Sequence, residues 1–506
     1  MYLTSCRWSN QLKQNMKQIV LLLFLCWGTL AFAQKSTSKP NVIYIFADDL
    51  GYGEVGAYGQ KKIKTPNLDR LAAGGMRFTQ HYSSAPVCAP SRCGLMTGRH
   101  TGHTYIRGNY ELGGFEDEKE GGQMPLNEGA FTVGHLFQKA GYKTGAVGKW
   151  GMGMANTTGN PNQQGFDFFY GLLCQKQSHN FYPTHLWKNG EKVALNNPYI
   201  KVHRPMPEGD ENYEYYVGKD YAIDKMTEEA TGFINDNKSR PFFLYLPYTL
   251  PHLSLQAPAE AVKEYIGKFD EKPYRGQTGY ASTRYPYSTY AAMISYLDKQ
   301  VGQIWELVKK LGIEDNTIIM FSSDNGATFV KHVDAAFFES AGPFRGLKMD
   351  VYEGGIRVPM IAYWKGKIKP GQVTDHVSTQ YDVLATCADL LGTKPALPTD
   401  GVSFLPTLLG KSTQVQHPYL YFEYPENGGQ LAIRKGDWKG VKRNVKANRN
   451  GEWEIYNLKA DIGERNNVAA AHPELAKEFD EIVQREHRPA HVHEWEFVDP
   501  KFEVKK

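Results

Sequence analysis

The chain has 506 residues, 41% of them hydrophobic, so it can bury a large core and exceeds the usual single domain. Its 58 basic and 54 acidic side chains leave a formal net charge of +4, with no block of like charge above a mixed Lys and Glu background. That excludes the electrostatic footprint of a nucleic-acid-binding protein and leaves one large domain with a smaller one appended as the expectation.

Residues 19–33 form an apolar run preceded by Lys13 and Lys17 and closed by Ala31, Phe32 and Ala33 before Gln34. This reads as a secretory signal peptide with an A-x-A cleavage site, which implies export to the periplasm or beyond. The run is shorter than the roughly 20 residues a bilayer span needs. Met16 followed by Lys17 makes a more ordinary signal start than Met1, and Cys26 follows Leu25 rather than a small residue, which argues against a lipid anchor. No later run is long and apolar, so no transmembrane segment is expected in the mature chain. With Cys6 and Cys26 removed, Cys88, Cys93, Cys174 and Cys387 are too scattered for a disulfide framework.

Residues 41–47 (NVIYIFA) have the pattern of a buried strand, and 66–73 that of a helix with Pro66 in its first turn, ended by Gly74 and Gly75. A helix over 90–97 is stopped by Gly98. Thr132 caps another that runs to Ala140, and Gly141 separates it from a strand at 143–147. A helical stretch at 223–234 precedes a strand at 242–246. In 288–311, Ile294, Leu297, Val301, Ile304, Val308 and Leu311 recur at spacings of three and four, and the strand 317–321 follows. Such alternation predicts an α/β fold, a large mixed, mostly parallel sheet flanked by helices. From residue 411 the pattern changes to short strands at 419–423, 431–434, 438–441 and 454–457, then a helix at 473–485. The expected division is a signal peptide (1–33), a catalytic domain (34–410) and a small C-terminal subdomain with an antiparallel sheet (411–506). There is no internal repeat.

In open α/β sheets ligands sit beyond the carboxyl ends of the strands. Asp48 and Asp49 follow the first strand, Lys149 the strand at 143–147, His252 the strand at 242–246, and Asp324 and Asn325 the strand at 317–321. Asp48, Asp49, Asp324 and Asn325 offer only oxygen ligands, a set for a hard cation such as calcium or magnesium rather than zinc. Each pair alone is weak, since Asp-Asn-Gly is also a common turn; at two strand ends together they point to a metal. Cys88 stands just before the helix at 90–97, whose N-terminus favours an anion, and Arg92 adds positive charge one turn in. On spacing alone Cys88 reads more readily as a small buried side chain beside a turn.

The segment Cys88-Ala89-Pro90-Ser91-Arg92 resembles the Cys-x-Pro-x-Arg signature of the formylglycine-dependent sulfatases. Other segments agree in order and spacing: 41–53 (NVIYIFADDLGYG), 65–71 (TPNLDRL), 148–150 (GKW), 323–326 (SDNG) and 345–359 (RGLKMDVYEGGIRVP). The resemblance spans residues 41 to about 406. It implies that a formylglycine-generating enzyme oxidises Cys88 to Cα-formylglycine, that Asp48, Asp49, Asp324, Asn325 and the residue-88 side chain bind Ca2+, and that Arg92, Lys149, His252 and Lys348 surround the sulfate. The hydrated aldehyde would then attack sulfur and His252 would protonate the leaving alcohol, as the one such group whose unperturbed pKa is near neutrality. One position departs from the family. Many sulfatases read GKWH, with a histidine taken as a base, where this chain has Gly151; His179 and His185 are the substitutes at hand. A phosphoesterase of the same superfamily would recruit zinc through histidines, and a catalytically dead glycan binder would release no sulfate. The loops 173–190 and 332–343, with Phe181, Tyr182 and Trp187, are where a sugar would be read, and a sulfated carbohydrate is the expected substrate.

Overall fold

The computed structural model describes residues 39–112 and 120–499. The proposed signal peptide, with Cys6 and Cys26, lies outside the described residues. From Pro40 onward the described chain belongs to one compact unit. Its centre is a ten-stranded sheet. The strands that position the site are β1 (Asn41–Ala47), β2 (Lys143–Lys149), β3 (Phe168–Leu172), β4 (Phe242–Pro247), β5 (Thr317–Ser323) and β6 (Met360–Tyr363). Their spatial order is β6-β5-β1-β4-β2-β3. The five from β5 to β3 are parallel to one another, and β6 runs antiparallel to β5.

The strand periodicity of two divides the core between the sheet faces. In β1, Ile43, Ile45 and Ala47 join one cluster, whereas Val42, Tyr44 and Phe46 join the other. The first cluster takes up α1 (Pro66–Gly74), and the second takes up α2 (Cys88–Thr97) through Ala89, Cys93, Leu95 and Met96. Helices α3 (Ala222–Asn237) and α4 (Pro286–Lys310) cover the same face as α1. All-round burial explains why these strands read as continuous apolar runs. The mixed, mostly parallel sheet between helices is the fold expected above.

Two boundaries differ from expectation for local reasons. Strand β2 continues to Lys149 because Gly148 and Lys149 still pair with Gly171 and Leu172 of β3. Helix α2 begins at Cys88, two residues early, with Pro90 inside its first turn; proline is tolerated there because the first N–H groups of a helix have no intrahelical acceptor.

A separate antiparallel sheet holds β7 (Leu420–Tyr424), β8 (Gln430–Lys435), β9 (Trp438–Lys442) and β10 (Glu454–Asn457), followed by α5 (Pro473–Glu486). Leu420, Phe422, Tyr424, Ala432, Val441 and Tyr456 of this sheet pack on Val351, Tyr352 and Ile356, so it buttresses the segment that carries Lys348. Gln430 Nε2 also donates to the Met349 carbonyl at 2.8 Å. The four cysteines expected in the mature chain are buried and form no disulfide with one another. Among the described residues no helix is long and apolar enough to cross a membrane.

After α5 the chain is fastened by His487, whose Nδ1 lies 2.8 Å from Glu423 Oε1 and whose Nε2 lies 3.2 Å from Glu496 Oε1. Burial opposes its charge, but the two carboxylates prevail and raise its pKa to about 9. A histidine raised in the folded state stabilises fully below its unfolded value near 6.5, and the contribution is lost as pH rises through 9. His487→Gln is therefore expected to lower Tm by several degrees at pH 6 and to change it little at pH 10, as read by calorimetry. An equal loss at both pH values would mean the imidazole acts by packing alone.

Candidate active site

The strand ends and the start of α2 meet at one edge of the sheet. Asp48 and Asp49 leave β1, Asp324 and Asn325 leave β5, Lys149 ends β2, and His252 lies five residues beyond the end of β4. Asp49 has φ +64°, a left-handed conformation uncommon for a non-glycine residue. It is held there by its amide, which donates to Asp324 Oδ1 at 3.0 Å, and by its buried carboxylate. Met349, next to Lys348, has φ +74°. Strain of this kind is sustained only where surrounding contacts over-determine the backbone.

Cys88 is 1% exposed, with Sγ 3.5 Å from Asp48 Oδ1, 3.8 Å from Asp49 Oδ1 and 3.5 Å from Lys348 Nζ. No side chain of its own segment caps α2; instead Asn109 Oδ1 accepts the Ala89 amide at 2.9 Å, and Asn109 is itself held by Glu426 beyond β7. Lys149 Nζ donates to Asp48 Oδ2 at 2.7 Å, and Lys348 Nζ donates to Asp49 at 2.8 Å. Asn325 Nδ2 donates to Asp49 Oδ1 at 2.8 Å, while its buried Oδ1 has no partner. Thus the structure brings together all nine residues named from the sequence.

Arg92 also belongs to the cluster. It is fully buried, donates through Nε and Nη2 to Asp324 Oδ2 at 3.2 and 2.8 Å, and donates through Nη1 to the Lys149 carbonyl at 2.8 Å. It braces the acidic cluster and the end of β2.

Three carboxylates (Asp48, Asp49, Asp324) face three permanent cations (Arg92, Lys149, Lys348). Burial would raise the pKa of Asp48 and Asp49, but Lys149 beside the first and Lys348 beside the second hold both below the usual carboxylate range. At Asp324, burial and the neighbouring Asp48 charge raise the pKa to about 7 despite the bond to Arg92. The cluster therefore has room for more positive charge. Burial also drives the Cys88 thiol upward, so an unmodified cysteine stays protonated at neutral pH.

The residues fit a hard divalent cation. Oxygens of Asp48 and Asp49 converge with Cys88 Sγ, the orphaned Asn325 oxygen is the kind of buried acceptor a cation satisfies, and the nearest imidazole is already engaged. That imidazole is His252, whose Nδ1 lies 2.6 Å from the Leu253 carbonyl and whose Nε2 lies 3.3 Å from Lys348 Nζ. Nδ1 thus carries the proton, and Nε2 accepts from the Lys348 ammonium. The expectation of a histidine titrating near neutrality does not hold: burial lowers its pKa to about 4.

His179, raised only as a substitute base, belongs to this site. Its ring stacks on His252 at 4.8 Å, and its Nδ1 lies 2.8 Å from Nε2 of the exposed His203. Tyr280, which no sequence signal marked, packs against His179 at 5.4 Å. His185 is elsewhere, bound to Glu120 at 2.8 Å. Phe181 and Tyr182 are 1% and 3% exposed members of the core, so they do not offer faces to a sugar. Gly151 has φ +73°, and a Cβ there would fall 2.4 Å from Gln175 Nε2, so that carboxamide fills the space a side chain would need.

A family model described as Sulfatase matches residues 40–393, and one described as N-sulphoglucosamine sulphohydrolase, C-terminal, matches residues 347–488. The chain is 30% identical to the N-acetylgalactosamine-6-O-sulfatase of Bacteroides thetaiotaomicron over 89% of its own length and 93% of that protein's. It is also 30% identical to steryl-sulfatase of Homo sapiens, over 81% of this chain and 76% of that one. The solved structure of Ps i-CgsB in complex with k-i-k-neocarrahexaose superposes with a TM-score of 0.72 at 28% identity, covering 91% of this chain and 94% of the other.

Proposed function

Because the chain belongs to the sulfatase family and is a sulfuric ester hydrolase, we propose that it is exported and cleaves sulfate esters on a glycan at residue 88. In this reading a formylglycine-generating enzyme converts Cys88 to Cα-formylglycine, and Asp48, Asp49, Asp324, Asn325 and residue 88 hold calcium. Residues 34–410 carry the catalysis, and 411–506 form the smaller subdomain. The observation that carries the reading is the buried Cys88 among three carboxylates and three cations, with one carboxamide oxygen unsatisfied.

Calcium there would supply the positive charge that a balanced cluster lacks when an anionic ester enters. Formylglycine would supply a hydrated aldehyde, an oxygen nucleophile in place of a thiol that burial keeps protonated. Arg92 fixes Asp324 and the end of β2, so the carboxylates need not rearrange as substrate binds. Lys348, 3.5 Å from Cys88 Sγ, and Lys149, bonded to Asp48, are point charges suited to clamping sulfate oxygens. The Lys348–His252 pair holds a proton between Nζ and Nε2, and this pair delivers it to the leaving oxygen; His179 backs the His252 ring.

Identity near 30% to enzymes named for an amino sugar and for a steroid leaves the leaving alcohol undetermined by family alone. The wider coverage of the amino-sugar relative supports N-acetylgalactosamine 6-sulfate as the first substrate. Sulfate release from a panel of position-defined sulfated monosaccharides tests this, with turnover of the 6-sulfated amino sugar expected. Turnover of aryl sulfates and of no sugar in the panel would remove the glycan assignment.

The proton-delivery role predicts a split between substrates. His252→Ala is expected to slow a sugar sulfate by about 10² to 10⁴ and nitrophenyl sulfate far less, since nitrophenolate leaves without a proton. Lys348→Ala should slow both, because it also loses a sulfate clamp. Equal losses for His252→Ala on the two substrates would reduce the histidine to a positioning group and leave Lys348 as the acid.

A further inference from the structure

We propose that a cavity at the opposite end of α2 from Cys88 binds a sulfated or carboxylated saccharide as a non-catalytic subsite. This rests on the reading of the chain as a glycan sulfatase and extends it. The ten residues of α2, at ~1.5 Å per residue, set its ends roughly 14 Å apart. Thr97, its last residue, lines a cavity of about 620 Å³ together with Arg99, His103, Thr104, Tyr105 and Arg488. None of the nine residues gathered around Cys88 lines it. The segment that builds it, Arg99-His100-Thr101-Gly102-His103-Thr104-Tyr105, has no part in the chemistry above.

Its polar groups are arranged for a ligand. Thr104 is 3% exposed, and its Oγ1 is buried without a partner. His103 Nε2 is buried without a hydrogen bond and lies 3.8 Å from Glu486 Oε2, while Nδ1 lies 2.9 and 3.0 Å from the two Asp400 carboxylate oxygens. The ring is thus held between two carboxylates, Asp400 on one nitrogen and Glu486 on the other. The neighbouring His100 is satisfied differently: its Nδ1 accepts the Gly102 amide at 3.2 Å, and its Nε2 faces Glu486 at 3.3 Å. The Arg99 guanidinium makes no hydrogen bond or ion pair among the described residues. Arg488 donates only through Nη1, to two backbone carbonyls of its own turn. Tyr105 lies flat on His491 at 3.6 Å and 10°, and Leu397, 43% exposed, adds an apolar face.

A bare inorganic anion would need only the arginines. The further presence of an unsatisfied hydroxyl and a flat apolar wall matches a ring that carries an anionic group, hydroxyls and a CH face together. Arginine suits recognition of a sulfate or carboxylate, Thr104 Oγ1 suits a ring hydroxyl, and the volume falls in the range of small-ligand sites.

The test uses the full chain with Cys88→Ala, which binds without turnover, titrated calorimetrically with a chondroitin 6-sulfate hexasaccharide. Two binding sites are expected, and one when Arg99→Ala and Arg488→Ala are added. In the chain with Cys88 intact, the same double substitution should raise KM for the hexasaccharide about tenfold, the loss of a charge-assisted contact, with kcat/KM for N-acetylgalactosamine 6-sulfate unchanged. Thr104→Val, which keeps the side-chain volume, should weaken the second site without affecting folding. Binding of a hyaluronan hexasaccharide at that site would assign the carboxylate as the recognised group, and its failure to bind would assign the sulfate. A single site insensitive to these substitutions, or inorganic sulfate bound there as tightly as the hexasaccharide, overturns the proposal. Sulfate release by the unsubstituted enzyme is measured separately, so its absence would overturn the glycan-sulfatase reading while cavity binding still decided this one.

Discussion

Cys88→Ser is expected to fold normally and to release sulfate at least about 10³-fold more slowly than the unsubstituted enzyme, the scale seen when a covalent nucleophile is removed. Serine fits the volume of the buried cysteine at the start of α2, so Tm should hold within a few degrees. The loss should arise because position 88 then carries an ordinary alcohol that the modifying enzyme does not turn into an aldehyde. The same reasoning applies to unmodified cysteine, since the desolvated thiol is held protonated despite Lys149 and Lys348 nearby. Mass spectrometry of the peptide spanning residue 88 is expected to find the aldehyde or its hydrate in active protein. Full activity from protein that carries only the thiol would end the proposed mechanism.

Asp324→Ala, or exhaustive chelation of the unsubstituted protein, is expected to reduce sulfate release by at least about 10²-fold, the scale of a lost electrostatic stabiliser. Asp324 accepts two of the three bonds of Arg92 and the Asp49 amide, so its removal unpairs most of that guanidinium and loosens the backbone turn that aims Asp49. Calcium analysis should give one ion per chain in the unsubstituted protein and a deficit in the variant. Turnover at the unsubstituted rate by stripped protein would refute the metal assignment. The pH dependence has a definite sign. In metal-free protein the Asp324 carboxyl, raised from 3.8 to about 7, stabilises the fold most below its unfolded value, and that contribution is lost as pH rises through 7. Asp48 and Asp49 are shifted the other way, so their contributions are lost only as pH falls below the ordinary carboxyl range. The rise in Tm on adding calcium should therefore be larger at pH 7.5 than at pH 5. A rise independent of pH would place the ion away from Asp324.

The alternation of apolar strands with amphipathic helices determined the α/β class, because a strand buried on both faces must be apolar along its length and a covering helix must carry a 3.6-residue stripe. Placement of Asp48, Asp49, Asp324 and Asn325 after two such strands determined, before any coordinates, that oxygen ligands could meet at one edge. The motif around Cys88 determined the family to look for. Tertiary structure alone decided what these groups do to one another. Arg92 reads as positive charge beside Cys88 from its spacing; that its guanidinium also braces Asp324 and a carbonyl of β2, the latter 57 residues away in the chain, only the fold decides. His252 reads as a neutral-pH acid, yet burial beside Lys348 makes its Nε2 an acceptor. Between His179 and His185 the sequence offered no choice; the fold stacks the first on His252 and sends the second to Glu120. Residue type and periodicity are local and survive in the sequence. The protonation, orientation and free valence of a buried polar group depend on desolvation and on neighbours brought from distant segments, and these exist only once the chain has folded.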